Sequence, residues 1–388
     1  MNLTETNLLA KKYLKIRKRS VALCAPLEIE DYIPQAVEFT SPPKWHLAHT
    51  TWFFEEVILK NNLLNYKVFD KNYSFLFNSY YQGLGDRAAR NRRGVMSRPT
   101  VAEVYKYREY VDKYMLELLI SPCLKELEKL IVLGLNHEQQ HQELLTTDLK
   151  YTLSLNPLYP TYKEGYNLVK DHNSDHGWLK ISEGIYTIGH HGDDFCFDNE
   201  LAKHQVFLEG FEISKQLVTN GEYMEFMNDG GYENYNYWLD EAWSWLQSKH
   251  INKPLYWIKK NAVWYHFTLS GLQKIDPHAL LAHVSYFEAM AFATWKGCRL
   301  PTEFEWEVAS LSLNWGKRWE WTNSAYLPYP QFKIAEGAVG EYNGKFMVNQ
   351  LVLRGGSVAT SEGHSRHTYR NFFQAKQQWQ YTGIRLVK

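Results

Sequence analysis

The sequence predicts an α+β chain of two domains: a four-helix bundle over residues 1–153 and a strand- and turn-rich domain over 177–388, with a linker at 154–176. Three observations carry this reading. The chain has 388 residues, more than one hydrophobic core usually organises. Its first part shows helix-start signals and helical periodicity. Past Asn156, the stretch NPLYPTYKEGYN mixes Pro, Gly and Tyr with no helical period, and short apolar runs separated by turns follow it.

Residues 4–22 form an amphipathic, Lys-rich helix. Ser41-Pro42-Pro43 signals the start of a second, from Trp45 to about Leu59. Thr100 and Glu103 make a capping box for a third, running to about Ile120, and Ser121-Pro122 opens a fourth that reaches Tyr151 or beyond. The long connection at about 61–98 completes a bundle. In the second domain three further capping boxes stand out, Thr219/Glu222, Ser285/Glu288 and Thr302/Glu305, with Gly230 and Gly297 as stops for the first two. GIYTIG, HQVFLEGFEI and LVLRGGS read as strands.

Composition removes several function classes. Lys+Arg and Asp+Glu are equal at 43 each, so the chain lacks the positive excess of a nucleic-acid or membrane-surface binder. No run approaches 18 apolar residues, and the N-terminus has no uninterrupted apolar core, so neither a membrane span nor a secretory leader is expected. Cys24, Cys123, Cys196 and Cys298 form no CxxC pair, which argues against a disulfide scaffold or a zinc ribbon. A cytoplasmic protein with small-molecule partners is the expectation. The surplus of aromatics, 14 Trp, 27 Tyr and 19 Phe, suits pockets for such molecules.

The strongest chemical signal is Asn136-His137-Glu138-Gln139-Gln140-His141. Two histidines at i and i+4 lie one turn apart on a helix and can grip one metal ion. The stripe Leu130, Leu133, His137, His141, Leu144 points them into the bundle, and Gly134 leaves room one turn earlier. HEQQH also fits the HExxH pattern of zinc peptidases, with Glu138 as base. A third ligand is expected from TrpHisLeuAlaHis at 45–49, where Trp45, His49, Trp52 and Phe53 share a face. His46 lies near the same face and geometry alone does not exclude it. Three neutral imidazoles with open positions suit Zn²⁺ or non-haem Fe²⁺.

Two longer stretches, PPKWHLAHTTWFFEE and NHEQQHQELLTTDLKY, resemble the DinB-like helical domain of ergothioneine synthases of the EgtB type. The C-terminal part, through GIYTIGHHGDDFCFDNE, HVSYFEAMAFATWKGCRLPTEFEWEVAS and LVLRGGSVAT, resembles the formylglycine-generating-enzyme, or sulfatase-modifying-factor, domain, a C-type-lectin-like fold. The resemblance implies a three-histidine Fe(II) site at His49, His137 and His141. It implies a sulfoxide synthase that uses O₂ to join a thiol to C2 of the hercynine imidazole. Gln140 would hydrogen-bond that imidazole, and Glu138 would support the helix and not act as a base. Tyr81, then Tyr80, would supply a proton or hydrogen atom. Arg87 and Arg90 would hold the thiol's carboxylate through the bidentate guanidinium fork. Asn371 and Phe372 would meet the trimethylammonium group, which aromatic faces attract.

Some relatives have Trp-Asp where this chain has Phe372-Phe373. That Asp helps hold γ-glutamylcysteine, so Phe373 leans the expectation toward free cysteine. Arg354-Gly355-Gly356-Ser357 and Gly383-Ile384-Arg385 read as structural. The absence of Cys after Cys298 argues against formylglycine generation. The alternatives are an ovothiol-type or selenoneine-type synthase with the same iron site, or a three-His zinc hydrolase or thiol S-transferase.

Overall fold

Proline at a helix's first position gives up no hydrogen bond, and a Ser/Thr-x-x-Glu box satisfies two of the amides a helix start leaves open. Both devices set helix starts in this chain. The computed structural model describes residues 3–79, 81, 83, 85–121, 124–334 and 343–388. The chain divides into two units, with a break between Pro157 and Leu158. In the first, α1 is Leu3–Cys24, and α2, Pro43–Phe53, starts with Pro43 in its first turn. A π-type turn, Phe54–Leu59, carries α2 into α3, Lys60–Asn62. The short α4, Tyr73–Phe77, lies in the long connection. Helix α5, Val101–Leu119, starts on the Thr100/Glu103 box, and α6 is Leu124–Ser154. Helices α1, α2, α5 and α6 pack as the bundle. Its core includes Trp52, Phe53, Phe54, Ile58, Tyr107, Met115, Ile131 and Leu135.

One close approach sets how α6 meets α2. A Cβ on Gly134 would stand 2.8 Å from a ring carbon of Phe53 and 2.9 Å from one of Phe54. Only glycine lets those rings come so close to the α6 backbone.

The bundle interior is not purely apolar. Glu138 is wholly buried. Its carboxylate accepts from Arg17 Nη1 at 2.9 Å, Arg108 Nη2 at 2.9 Å and Ser20 Oγ at 2.5 Å. Arg17 also donates to Asp112, at 2.6 Å, and to Thr51 Oγ1, at 3.0 Å. Arg108 donates to the Leu47 carbonyl at 3.0 Å and to Thr51 Oγ1 at 3.2 Å. One carboxylate thus links α1, α5 and α6 directly, and α2 through the arginines. Burial alone would push the Glu138 carboxyl up, but Arg17 and Arg108 outweigh it and hold it down at about 2.

This network widens the expected inner face of α6, on which Leu130 and Leu133 pack against the core. Leu130, Leu133 and Leu144 are only half-buried. Beside the His137/His141 face, a second stripe of Leu127, Ile131, Leu135, Glu138, Gln142, Leu145 and Leu149 is buried. Apolarity ranked the leucines first, but fully satisfied polar side chains occupy the core face.

The second unit is built from short strands. β1 (Trp178–Ile181) pairs antiparallel with β4 (Phe211–Ser214), and β2 (Gly184–Ile188) with β3 (His204–Leu208). β5 (Trp257–Lys260), β6 (Val263–Thr268) and β7 (Gly271–Lys274) form a meander. The four-stranded sheet has the order β10-β9-β8-β11, from Asn371–Phe373, Leu351–Gly355, Trp319–Ala325 and Thr382–Gly383. Helix α7 is Asn220–Asn228, α8 Asp240–Lys249, α9 Tyr286–Trp295 and α10 Glu303–Ser310. All three boxes anticipated here cap α7, α9 and α10. Gly230 and Gly297, at φ +74° and +67°, turn the chain out of α7 and α9.

The meander escaped the sequence because its first turn uses Asn261-Ala262, at φ +49° and +64°, a left-handed pair in which alanine replaces the usual glycine. Helix α8 escaped because Leu239 is its N-cap and provides no side-chain bond. Arg354 and Arg385, read as structural, are buried. Arg354 pairs with Glu307, and Arg385 donates to both oxygens of Glu320, at 2.5 and 2.8 Å.

Two outcomes follow. Glu138→Ala takes the carboxylate from buried Arg108, leaves Arg17 with Asp112 alone, and is expected to destabilise the helical unit by about 3–5 kcal/mol, read as a lower urea midpoint in the helical circular-dichroism signal. An unchanged midpoint would remove the network from its structural role. Gly134→Ala gains roughly 1 kcal/mol of helix propensity but overpacks by about 1–3 kcal/mol, so its midpoint is expected to fall and not rise.

Candidate metal centre

Helix periodicity brings His137 and His141 to one face of α6, and the Gly134 contact brings α2 close enough for His49 to join them. The ligand nitrogens of His49, His137 and His141 lie within 4.8 Å of one another, the one such His/Cys/Asp/Glu group among the described residues. Their rings meet edge to face, with centroids 4.6–5.0 Å apart. His49 and His137 are buried, and His141 is partly open.

The hydrogen bonds fix the rings. His49 Nδ1 lies 2.6 Å from the Phe77 carbonyl, so it carries the hydrogen, and Nε2 is left as a buried lone pair with no hydrogen-bond partner. An orphaned buried acceptor beside two more imidazoles fits a metal ion, which would take up that lone pair. Burial, more than any neighbour, keeps all three rings neutral. It holds His49 and His141 well below the usual imidazole range and His137 down at about 3. Neutral imidazoles are the form that ligates.

Aromatic rings wall the cluster. The His49 ring is sandwiched between Trp45, at 4.4 Å and 13°, and Trp52, at 5.5 Å and 15°. Phe53 packs on His137 at 4.9 Å. Tyr81 is buried against Trp52 at 5.6 Å and Phe53 at 6.5 Å, one ring removed from the histidines. Asn78 brackets its backbone, accepting from the Tyr81 amide at 3.2 Å and donating to its carbonyl at 3.0 Å. Tyr80 lies outside the described residues. Gln140 is half-buried on α6 beside His141. Arg87 and Arg90 are exposed and donate to the Ser79 carbonyl, at 2.5 Å, and the Phe39 carbonyl, at 2.8 Å.

In the second unit, Phe372 stacks on Tyr326 at 4.0 Å and 11°, with Phe346 at 5.9 Å. Asn371 precedes it on β10, its Oδ1 accepting from the Phe372 amide at 2.9 Å. Arg370 is anchored to Glu303 through two bonds, 2.8 and 3.0 Å, which fixes the start of that strand.

Two participants, Arg93 and Asp148, were not singled out by the sequence. Arg93 is buried, with its guanidinium 3.4 Å from the Trp45 ring centroid, and donates to Ser41 Oγ at 2.8 Å. It backs the stack that holds His49. His46 is not a fourth member of the group: its Nδ1 lies 2.9 Å from His141 Nδ1 and its Nε2 3.2 Å from Asp148 Oδ2. Asp148 stands seven residues after His141, two helical turns along one face, and that spacing is the signal that could have found it. Glu138 is tied up by Arg17, Arg108 and Ser20 and cannot serve as the base that HExxH chemistry needs.

Comparison with known proteins agrees with this two-part build. Residues 167–313 match the sulfatase-modifying factor enzyme 1-like domain family. A hercynine oxygenase of Mycolicibacterium smegmatis is 26% identical over 308 residues, covering 66% of this chain and 70% of that protein. A hercynine oxygenase of Mycobacterium tuberculosis is 29% identical, over 50% of this chain and 56% of its own length. A formylglycine-generating enzyme of Thermomonospora curvata is 30% identical over 38% of this chain and 52% of its own length. By sequence, the chain is similar to hercynine oxygenases and, over residues 167–313, to the sulfatase-modifying factor enzyme 1-like domain.

Proposed function

We propose that the protein is an Fe(II)- and O₂-dependent sulfoxide synthase of ergothioneine biosynthesis. It would join a small thiol, cysteine before γ-glutamylcysteine, to C2 of the hercynine imidazole and leave the sulfur as a sulfoxide. The observation that carries this reading is the buried cluster of three neutral imidazoles at His49, His137 and His141, with no carboxylate or thiolate among its donors. Its similarity to two hercynine oxygenases supports the substrate.

A ferrous ion held there would supply the redox chemistry with O₂ and lower the pKa of a bound thiol. The chain's own residues do the rest. The Phe77 carbonyl holds His49 with Nε2 toward the cluster. Trp45, Trp52 and Phe53 keep water from the rings. Tyr81, or Tyr80, supplies a proton or hydrogen atom. Arg87 and Arg90 take the thiol's carboxylate, exchanging backbone carbonyls for a charged partner that binds more strongly. Gln140 hydrogen-bonds the hercynine imidazole, and Asn371 and Phe372 receive the trimethylammonium group. The peptidase reading of HEQQH loses support because Glu138 is neutralised within the bundle.

Anaerobically Fe(II)-loaded protein, given hercynine and cysteine, is expected to consume O₂ in a hercynine-dependent way and yield hercynyl-cysteine sulfoxide by mass spectrometry. γ-Glutamylcysteine should give slower turnover, and His137→Ala only background. Tightly held zinc with no O₂ uptake on either thiol would overturn the reading and favour a hydrolase or S-transferase.

A further inference from the structure

The cluster His49, His137 and His141 does not stand alone, because His141 continues into a second row of side chains. His46, one turn before His49 on α2, is buried, as is Asp148, two turns after His141 on α6. The three are joined in line: Asp148 Oδ2 to His46 Nε2 at 3.2 Å, and His46 Nδ1 to His141 Nδ1 at 2.9 Å. The first contact orients the rest. Asp148 Oδ2 already accepts the Ser41 amide at 2.8 Å, so it faces His46 as an acceptor and Nε2 carries the hydrogen. With its hydrogen on Nε2, His46 presents a lone pair at Nδ1. His141 must place its own hydrogen on Nδ1 to meet it, which leaves His141 Nε2 bare. Other hydrogen placements either set two acceptors face to face at Asp148 or put an N–H of His141 into the ligand cluster.

We propose that Asp148 and His46 are positioning residues for the metal centre, a buried carboxylate–imidazole–imidazole relay that fixes the tautomer and ring plane of His141 so that Nε2 is ready to bind. The proposal rests on the three-histidine metal reading above but not on which metal, thiol or reaction that site uses. It also spans the bundle. His49 is set by the α4 carbonyl of Phe77, and His141 is set from α2 by His46, so each helix that supplies a ligand also takes part in orienting one. Losing such an outer partner typically weakens metal affinity by roughly 10–100-fold.

Two substitutions separate positioning from packing because they predict opposite orders. His46→Phe keeps ring shape but removes the acceptor for His141 Nδ1–H. His46→Asn loses volume but places an amide oxygen near the former Nδ1. Co(II) is titrated into the metal-free full-length chain and followed by its d–d absorption. His46→Phe is expected to weaken binding roughly 10–100-fold and alter the band shape, while His46→Asn binds within about threefold of the unsubstituted chain, on the same scale of outer-partner effects. If His46→Phe binds as tightly as the unsubstituted chain, or His46→Asn is the weaker of the two, the relay is overturned and His46 is a packing residue. If the unsubstituted chain binds no Co(II), the metal reading itself falls. A measurement that needs no variant guards against misfolding. In the Zn(II)-loaded, ¹⁵N-histidine-labelled protein, a slowly exchanging imidazole proton shared by two Nδ1 nitrogens is expected, and a His141 hydrogen on Nε2 would overturn the assignment.

Discussion

The Glu138 carboxylate, buried between Arg17 and Arg108, is the constraint on which the rest of the helical unit depends. Removing an ion pair from water costs several kcal/mol per ion, and a well-packed apolar replacement is often as stable. What this network supplies is position. Its arginines reach Thr51 and the Leu47 carbonyl on α2, on either side of His49, while Glu138 is the neighbour of His137. The same bonds that close the interior therefore set the heights of α2 and α6, and with them the meeting of three imidazoles. The Gly134 contact sets the remaining coordinate, the distance between the two helices.

The second unit uses the same device on an irregular scaffold. Its sheets are small, and buried Arg–Glu pairs take the place of long strand ladders: Arg354–Glu307, Arg370–Glu303, Arg385–Glu320 and Arg366–Glu200. Each guanidinium also satisfies backbone carbonyls that loops would otherwise bury unpaired, as Arg370 does for Asn199 and Leu327. The surface presenting Asn371 and Phe372 is thus held by charge pairing beneath it and by the Tyr326 ring stacked beside it.

The two-unit organisation was legible because its signals are local. Capping boxes, Pro43 and the glycine stops each depend on residues three or four apart. The candidate ligand pair at His137 and His141 is likewise a one-turn pattern, and His49 follows from a shared face with Trp45 and Trp52. What was not legible depends on partners distant in sequence. Hydrophobicity left Glu138 off the inner face, because nothing near it in sequence announces that Arg17 and Arg108 will balance its charge. Arg93 looked like one of several loop arginines until its place on the Trp45 ring distinguished it. His46 stayed open between ligand and bystander, and only Asp148 on another helix settles its hydrogen bonds. The turn at Asn261-Ala262 hid a strand pair by using a residue that rarely adopts that backbone.

On the proposed reading, a polar network inside the bundle builds a neutral three-imidazole site for a ferrous ion. X-ray absorption at the iron edge, on protein reconstituted anaerobically with one equivalent of Fe(II), tests it most directly. The prediction is stoichiometric iron with scattering from three imidazole nitrogens and no protein sulfur or carboxylate, reduced to two imidazoles in His49→Ala. Iron that washes off, or an imidazole count unchanged by losing His49, would contradict it.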